Sequence, residues 1–213
     1  MSNESYKIAI ITGGSRGLGR NTAIHLARRG VYLLFTYHSN LAEAQSLIRE
    51  VEAMGRKTVE FQLDAGNISL FDRFVDGVRN TLRSWGPDQF DYLVNNAGTS
   101  VHKPFDQTTE AEFDQIVNVQ FKGVYFLTQK LLPLMKDGGR IVNISSGLAR
   151  FSMPGTPAYG AAKGAIEVST CYLAKELGPP GITANVVAPG AIQTDFSGAW
   201  SATIRKSTSA SRI

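Results

Sequence analysis

Short apolar runs alternate with longer amphipathic stretches along most of the chain. The runs are rich in Ile, Val, Leu and Tyr, and they predict six strands: Lys7–Thr12, Tyr32–Tyr37, Thr58–Gln62, Tyr92–Asn95, Arg140–Ser145 and Thr183–Ala188. The stretches between them predict five helices: Leu18–Arg29, Leu41–Met54, Ser69–Trp85, Ala111–Lys136 and Pro157–Leu177. Near-continuous apolar strands are typical of a parallel sheet that is buried on both faces. We therefore expect an α/β fold, a doubly wound parallel sheet with helices on both faces, in a single domain over residues 1–213.

Composition narrows the classes of protein that fit this pattern. The 213 residues are 43% apolar and 19% charged, which is typical of a folded soluble protein. The net charge of +4 comes without the Lys/Arg stripe of a nucleic-acid surface, and no apolar run approaches the about 20 residues of a membrane span. Cys171 is the only cysteine, and the three histidines show no metal-ligand spacing. We expect a cytoplasmic protein that binds no metal, nucleic acid or membrane.

A glycine-rich loop, TGGSRGLG over Thr12–Gly19, separates the first predicted strand from the first helix. Gly13 allows a tight turn, Gly17 lets the backbone approach a pyrophosphate, and Gly19 allows close packing of helix on strand. The unpaired N–H groups and the dipole of the helix start favour a phosphate there. The spacing G-x-x-x-G-x-G differs from the common dinucleotide fingerprint, so a glycine turn without a ligand is the alternative for this segment alone.

Four segments together resemble the short-chain dehydrogenase/reductase family. They are the loop Thr12–Gly19, the NNAG segment Asn95–Gly98, the Ser…Tyr-x-x-x-Lys set of Ser146, Tyr159 and Lys163, and Pro189–Gly190 followed by Thr194. Each segment is weak alone, but they occur in family order along nearly the whole chain. The resemblance implies a Rossmann-like domain and an enzyme similar to NADPH-dependent ketoreductases and 3-oxoacyl-acyl-carrier-protein reductases, which transfer hydride between a nicotinamide and a carbonyl carbon.

Tyr159 and Lys163 carry the chemistry that we expect. Among the seven tyrosines only Tyr159 has a lysine four residues on, which places both side chains on one face of a helix. A phenol has a pKa of about 10, and a nearby ammonium favours the phenolate and lowers that pKa. Tyr159 is then the acid–base group, while Lys163 lowers its pKa and binds the nicotinamide ribose. An exposed Tyr/Lys pair without chemistry is the usual meaning of this spacing on its own.

Ser146 and Asn118 complete the expected catalytic set. Ser146 lies thirteen residues before Tyr159, the separation that the resemblance implies, and its hydroxyl can polarise a substrate carbonyl. Ser145 is the competing candidate, or both serines merely cap the strand. Asn118, in VNVQFKG, resembles the family's helix asparagine, which breaks the regularity of the helix and binds a water of the proton relay. A buried structural asparagine is the alternative.

The end of the second strand bears on the choice of dinucleotide. Enzymes that prefer NAD place Asp or Glu there, whereas Tyr37, His38 and Ser39 stand in this chain. Arg16 in the glycine loop can pair with a 2′-phosphate, so we predict NADP(H) in preference to NAD(H); a solvated Arg16 is the alternative. Asp64 resembles the family's adenine-contacting acid or serves as a turn residue. The full set expected to bind the cofactor is Gly13, Ser15, Arg16, Gly17, Leu18, Gly19, Tyr37, His38, Ser39, Asp64, Asn95, Ala97, Gly98, Pro189, Gly190 and Thr194.

Segments after the fifth and sixth strands usually shape the substrate pocket of the family. Here they contribute Leu148, Phe151, Met153, Phe196 and Trp200. These side chains suggest an apolar or aromatic carbonyl substrate, unless they pack on the core. The predicted helices that begin at Ala111 and Pro157 are apolar or small around much of their circumference, as helices that need a second burial partner are. We therefore expect a homodimer or homotetramer.

The chain stops at Ile213, where members of the family usually continue with a further helix and a seventh strand. We therefore expect a form that is shortened at its C-terminus. Two functions follow. One is an active NADPH-dependent carbonyl reductase; the other is a dinucleotide-binding protein with little or no turnover, because the segment that closes the substrate pocket is absent.

Overall fold

In the computed structural model, which describes residues 6–192 and 196, the apolar runs form one six-stranded parallel sheet. The strands are β1 (Ile8–Ile11), β2 (Tyr32–Tyr37), β3 (Thr58–Gln62), β4 (Phe90–Asn95), β5 (Met135–Ile144) and β6 (Thr183–Val187). Their order in the sheet is β3-β2-β1-β4-β5-β6. The chain winds outward from β1 to β3 and then crosses over to β4 and winds the other way. The predicted fold class is confirmed, and the β1/β4 pair is the switch point at which such sheets leave a crevice.

Helices connect the strands. They are α1 (Gly17–Arg28), α2 (Leu41–Ala53), α3 (Phe71–Trp85), α4 (Glu110–Val117), α5 (Gly123–Leu131) and α6 (Pro157–Glu176). Asn118–Lys122, between α4 and α5, is a short π-helical segment. Among the helices of the described residues, none is long and apolar enough to cross a bilayer.

The prediction of one helix over Ala111–Lys136 is wrong at its C-terminal end. The α-helical part ends at Leu131, and Leu132–Leu134 form a 3₁₀ turn that contains Pro133. A proline lacks the N–H that the hydrogen-bond ladder of an α-helix needs, so the α-helix does not continue through Pro133. Met135 then pairs with Phe90 and begins β5, although the following residues, KDGG, give no strand signal in the sequence.

The two faces of the sheet bury alternate residues of each central strand. Ile8 and Ile10 of β1 pack into a cluster with Phe71 and other apolar residues of α3. Ala9 and Ile11 belong to the cluster on the opposite face, which α1 and α2 cover. Because side chains alternate across a strand, a strand between two helix layers must be apolar at every position, as β1 is. This packing holds the carboxyl ends of the strands in a fixed row.

Gly123 provides a test of the packing around the π-helical segment. It is buried, and a Cβ there would lie well inside van der Waals contact of the carbonyl oxygen of Ala65. We expect Gly123→Ala to lower the free energy of unfolding by about 2 kcal/mol, because overpacking against backbone costs roughly 1–3 kcal/mol. The measurement is urea unfolding.

Gly164, inside α6, is the matched control, since nothing lies within 4 Å of a Cβ built there. Gly164→Ala should leave the stability unchanged or raise it by up to about 1 kcal/mol, because alanine is the better helix former. Two variants of equal stability would contradict the packing assigned to Gly123.

Candidate active site

A cleft of about 860 Å³ opens along the carboxyl ends of the strands. Segments that follow all six strands line it, together with residues of α6 and of the π-helical segment. Most of the residues predicted from the sequence lie in this lining: Gly13, Ser15, Arg16, Gly17, Leu18, Tyr37, His38, Asp64, Ala97, Gly98, Asn118, Ser146, Tyr159, Lys163, Pro189 and Gly190. The fold therefore brings together segments that are up to about 180 residues apart in sequence, at the place where doubly wound sheets bind ligands.

The glycine loop has a conformation that side chains would obstruct. Gly13 and Gly17 have φ angles of +64° and +55°, in the left-handed region. A Cβ on Gly19 would lie well inside contact distance of the carbonyl oxygen of Gly13, so the close approach of α1 to the loop requires glycine. Among the described residues, no side chain caps the start of α1, and the first turn of this helix holds no acidic residue. Its first N–H groups are thus open to an anion, which fits the pyrophosphate of a dinucleotide.

Hydrogen bonds of Asn96 join this loop to the end of β4. Asn96 is not among the site residues predicted from the sequence. Its side-chain Nδ2 donates to the carbonyl oxygens of Thr12 and Gly13, both at 2.9 Å. In return, Thr12 Oγ1 accepts from the backbone N–H groups of Asn96 and Ala97 at 3.0 Å. These four bonds join the ends of β1 and β4. The repeated asparagine of NNAG was the available signal, but the sequence does not say which of the two faces the loop.

Asn95, which we expected to contact the cofactor, lies in the sheet instead of in the cleft lining. It is buried, and its Nδ2 donates to Thr128 Oγ1 at 2.9 Å and to Asn143 Oδ1 at 2.8 Å. Gly19 is buried beneath the loop, and exposed Ser39 lies outside the lining. Thr194 falls outside the described residues.

Arg16 supplies a cation to the part of the cleft that we expect to hold the ribose, and no carboxylate stands at the end of β2. Arg16 is exposed, lines the cleft, and forms no ion pair with any carboxylate of residues 6–192. Thr36, a second residue that the sequence analysis missed, holds the loop beside it: Gly13 N–H donates to Thr36 Oγ1 at 3.0 Å, and Gly14 N–H donates to Thr36 O at 2.8 Å. A guanidinium without a partner in this position fits a phosphate on the ribose.

Asp64 and Asn118 both lie beside Gly66, where the chain leaves β3. Asp64 Oδ1 accepts from the backbone N–H of Gly66 at 2.9 Å, so Asp64 serves as a turn residue while it also lines the cleft. Asn118 begins the π-helical segment, and a Cβ on Gly66 would lie 3.7 Å from the Cβ of Asn118. The break in helix regularity that the resemblance implied at Asn118 is therefore present.

Tyr159 and Lys163 occupy one face of α6 and are both buried, at 9% and 5% exposure. The ammonium of Lys163 lies 5.6 Å from the centroid of the Tyr159 ring and donates to the carbonyl oxygen of Ile144 at 2.6 Å. Burial lowers the pKa of Lys163 to about 8. Burial also raises the pKa of Tyr159, and a hydrogen bond with Ser146 opposes this rise only in part. We had expected Lys163 to lower the pKa of the phenol, but loss of solvation raises it, and the opposing effect comes from Ser146.

The two candidate serines have different partners. Ser145 is buried, and its Oγ donates to Glu167 Oε1 at 2.9 Å. Ser146 is less buried, and its Oγ accepts from the backbone N–H of Leu148 at 3.2 Å. Since the Ser145 hydroxyl proton is engaged with a carboxylate, Ser146 is the better placed of the two to donate to a substrate.

Apolar side chains form the wall of the cleft that lies near Tyr159. Leu148, Phe151 and Met153 line it, and the ring centroid of Phe196 is 6.2 Å from that of Tyr159. Val101 and Ile192, which the sequence analysis did not name, also line the cleft. Trp200 lies outside the described residues.

The profile of one family, described as short chain dehydrogenase, matches residues 7–205. The chain belongs to the short-chain dehydrogenase family. It is 34% identical over 197 residues to the hydroxynaphthalene reductase-like protein Arp2 of Metarhizium brunneum, a match that covers 91% of this chain and 72% of the relative. Membership accounts for the glycine loop, the NNAG segment and the Ser, Tyr and Lys set in one chain.

Solved structures of other short-chain dehydrogenases have the same fold. The angucycline C-6 ketoreductase LanV with bound NADP superposes with a TM-score of 0.90 at 32% identity, over 94% of this chain and 79% of LanV. A short chain dehydrogenase from Burkholderia cenocepacia in complex with NADP superposes with a TM-score of 0.86 at 36% identity, over 94% of this chain and 81% of that one.

Because Lys163 is buried, we expect removal of its charge to raise the free energy of unfolding. Its pKa of about 8 in the folded protein is below the value of 10.5 for a free lysine, so folding disfavours the ammonium at neutral pH. The difference corresponds to roughly 3 kcal/mol, and the lost bond to Ile144 offsets about 1 kcal/mol of it. Lys163→Met should therefore raise the free energy of unfolding at pH 7 by about 2 kcal/mol.

The pH dependence of this effect has a defined sign. The penalty is full below pH 8 and fades as the pH rises from about 8 towards 10.5, where the unfolded chain also loses the proton. Urea unfolding at pH 7 and pH 10 measures it, and the gain for Lys163→Met should shrink at the higher pH. A variant that is less stable than the parent at pH 7 would contradict the assignment.

Proposed function

We propose that this protein is an NADPH-dependent oxidoreductase that interconverts a carbonyl and an alcohol, with Tyr159 as the acid–base group. One observation carries the proposal: Tyr159, Ser146 and Lys163 line the same cleft as the glycine loop and the open N-terminus of α1. The NADP bound to LanV and to the Burkholderia cenocepacia protein supports the choice of cofactor.

Residues of this chain would hold the dinucleotide along the cleft. The backbone of the loop Gly13–Gly19 and the start of α1 would bind the pyrophosphate. Arg16 would pair with the 2′-phosphate, beside Tyr37 and His38 at the end of β2, and Asp64 would lie near the adenine. Lys163 would donate to the nicotinamide ribose, near Pro189 and Gly190.

The side chains of the site suit proton donation to a carbonyl oxygen. NADPH, when bound, supplies the hydride. Burial raises the pKa of Tyr159, so the phenol keeps its proton at neutral pH and can give it to the oxygen of the substrate. Ser146 donates a hydrogen bond to the same oxygen as negative charge develops on it. Lys163, still charged below pH 8, is the cation that would favour the phenolate left by the transfer. Asn118 would hold a water that returns the proton.

The substrate that this cleft favours is an apolar carbonyl compound. Leu148, Phe151, Met153 and Phe196 present apolar surface around Tyr159, and Phe151 is 74% exposed, so it is free to cover a bound molecule. The name of the Metarhizium relative, a hydroxynaphthalene reductase-like protein, is compatible with this class.

We further propose a cytoplasmic homodimer or homotetramer. Apolar side chains remain exposed on α4, α5 and α6, among them Phe113, Tyr125, Val168 and Tyr172. A second copy of the chain would bury such a surface.

Replacement of Tyr159 tests the chemistry. Tyr159→Phe should lower kcat for NADPH-dependent reduction of an aromatic ketone by about 10²-fold or more, since it removes only the hydroxyl that transfers the proton. Binding of NADPH, measured by fluorescence titration, should stay nearly unchanged. Tyr172→Phe is the matched control, because Tyr172 lies on the same helix outside the lining of the cleft and the change keeps its apolar ring. Turnover by Tyr159→Phe at the parental rate would refute the role, and a parent that binds NADPH without turnover would favour the dinucleotide-binding alternative.

Replacement of Arg16 tests the choice of cofactor. Arg16→Ala should lower kcat/KM with NADPH by about tenfold or more, since a charge-assisted hydrogen bond contributes roughly 1.5–3 kcal/mol, and should change kcat/KM with NADH little. Arg29→Ala, at the exposed opposite end of α1, is the control. An equal loss with both cofactors would contradict a phosphate-binding role.

A further inference from the structure

Glu167 follows Lys163 by one helical turn and Tyr159 by two turns, so all three lie on one face of α6. Its side chain is only 20% exposed. One carboxylate oxygen, Oε1, accepts from Ser145 Oγ at 2.9 Å. The other, Oε2, accepts from Nε and Nη2 of Arg150, each at 3.3 Å. Both oxygens of Glu167 are therefore bound, by two residues of the same loop.

These two residues enclose the turn that carries Ser146. Ser145 precedes Ser146, and Arg150 follows the 3₁₀ turn Gly147–Ala149. The turn also packs directly on α6, because a Cβ on Gly160 would lie 2.9 Å from the carbonyl oxygen of Leu148. Glu167 thus holds both ends of this turn against the helix from which Tyr159 and Lys163 project.

Arg150 has a role in this arrangement that its exposure alone would not indicate. Its side chain is 68% exposed, which by itself is typical of a surface residue. Its guanidinium instead donates two hydrogen bonds to Glu167, and Arg150 does not line the cleft. Charge-assisted bonds of this kind are stronger than neutral ones. The bond to Ser145 matters for a different reason: Ser145 is 2% exposed, and without Glu167 its buried hydroxyl would keep only the longer bond to the carbonyl oxygen of Lys163, at 3.4 Å.

We infer that Glu167 is a positioning residue, which sets the distance between the Ser146 hydroxyl and Tyr159 by fixing the turn Ser145–Arg150 onto α6. The inference rests on the proposed function, in which Ser146 and Tyr159 act on the same carbonyl oxygen. Misplacement of a reacting group by about 1 Å can lower a rate by up to about 10²-fold. Glu167 lies outside the lining of the cleft, and its hydrogen bonds within the described residues go to Ser145 and Arg150 instead of the glycine loop or Arg16, so we expect cofactor binding not to depend on it.

The test compares Glu167→Ala with Glu167→Gln. We expect Glu167→Ala to lower kcat for ketone reduction by about tenfold while KM for NADPH stays the same, since a loosened turn misplaces Ser146 only. Glu167→Gln should recover part of the loss, because its amide oxygen can still accept from Ser145. Glu176→Ala, exposed at the end of the same helix, should match the parent. An unchanged kcat in Glu167→Ala, or an equal loss in Glu176→Ala, would overturn the inference.

Amide hydrogen exchange gives a second readout that does not depend on turnover. The N–H groups of Gly147, Leu148, Ala149 and Arg150 are all bonded within the turn or to Pro189. In Glu167→Ala their exchange should become about tenfold or more faster, while exchange in Thr12–Gly19 stays the same. Unchanged exchange in the turn would overturn the inference. If Glu167→Ala loses protection throughout the chain, exchange in the same turn is measured in Glu167→Gln instead. Faster exchange in that turn supports the inference, and unchanged exchange overturns it. A parent without turnover would refute the proposed function, and exchange would still decide the role of Glu167.

Discussion

The hydrogen bonds of Asn96 are the constraint on which the cofactor half of the site depends. Two parallel strands, β1 and β4, end side by side, and the carbonyl groups beyond them have no strand partner. The side-chain amide of Asn96 donates hydrogen bonds to the carbonyl oxygens of Thr12 and Gly13. Once these are fixed, the loop must turn sharply, which explains the positive φ of Gly13 and the absence of space for a Cβ at Gly19. The open N-terminus of α1 is the result of this geometry.

The second half of the site depends on α6 in a comparable way. Lys163 donates to the carbonyl of Ile144 at the end of β5, and Glu167 binds the turn that follows. Both contacts place polar groups of a helix on the strand end beside it. The cleft thus lies between two junctions, one at β1/β4 and one at β5/α6, and the sheet fixes the distance between them. Displacement of Lys163, which is 5% exposed, would remove the bond between its ammonium and the carbonyl oxygen of Ile144.

The sequence predicted best those features that one-dimensional patterns encode. Apolar runs of β1 and β2 identify buried strands, and Gly86 and Pro157 mark the end of α3 and the start of α6, whereas the helix predicted across Pro133 ended before it. The start of β5 was missed because only Met135 pairs there, with Phe90, and the ladder resumes at Arg140 after an irregularity that no local pattern shows. The sequence alone does not distinguish Asn95 from Asn96. Side chains alternate between the two faces along β4, and the point at which this strand ends decides which of the two asparagines faces the loop. Glu167 belongs to no motif, and only the fold brings it to Ser145 and Arg150.

The pKa of Tyr159 shows why spacing alone was misleading about chemistry. A lysine four residues away was expected to make the phenol more acidic, but both groups are buried, and burial disfavours each charged form. The phenol stays protonated and the ammonium becomes easier to deprotonate. For the reduction of a carbonyl this is the useful combination, because the acid must hold its proton until negative charge develops on the substrate oxygen. In the proposed reaction the ammonium would have most effect after transfer, when it would lie near a phenolate in a poorly solvated site.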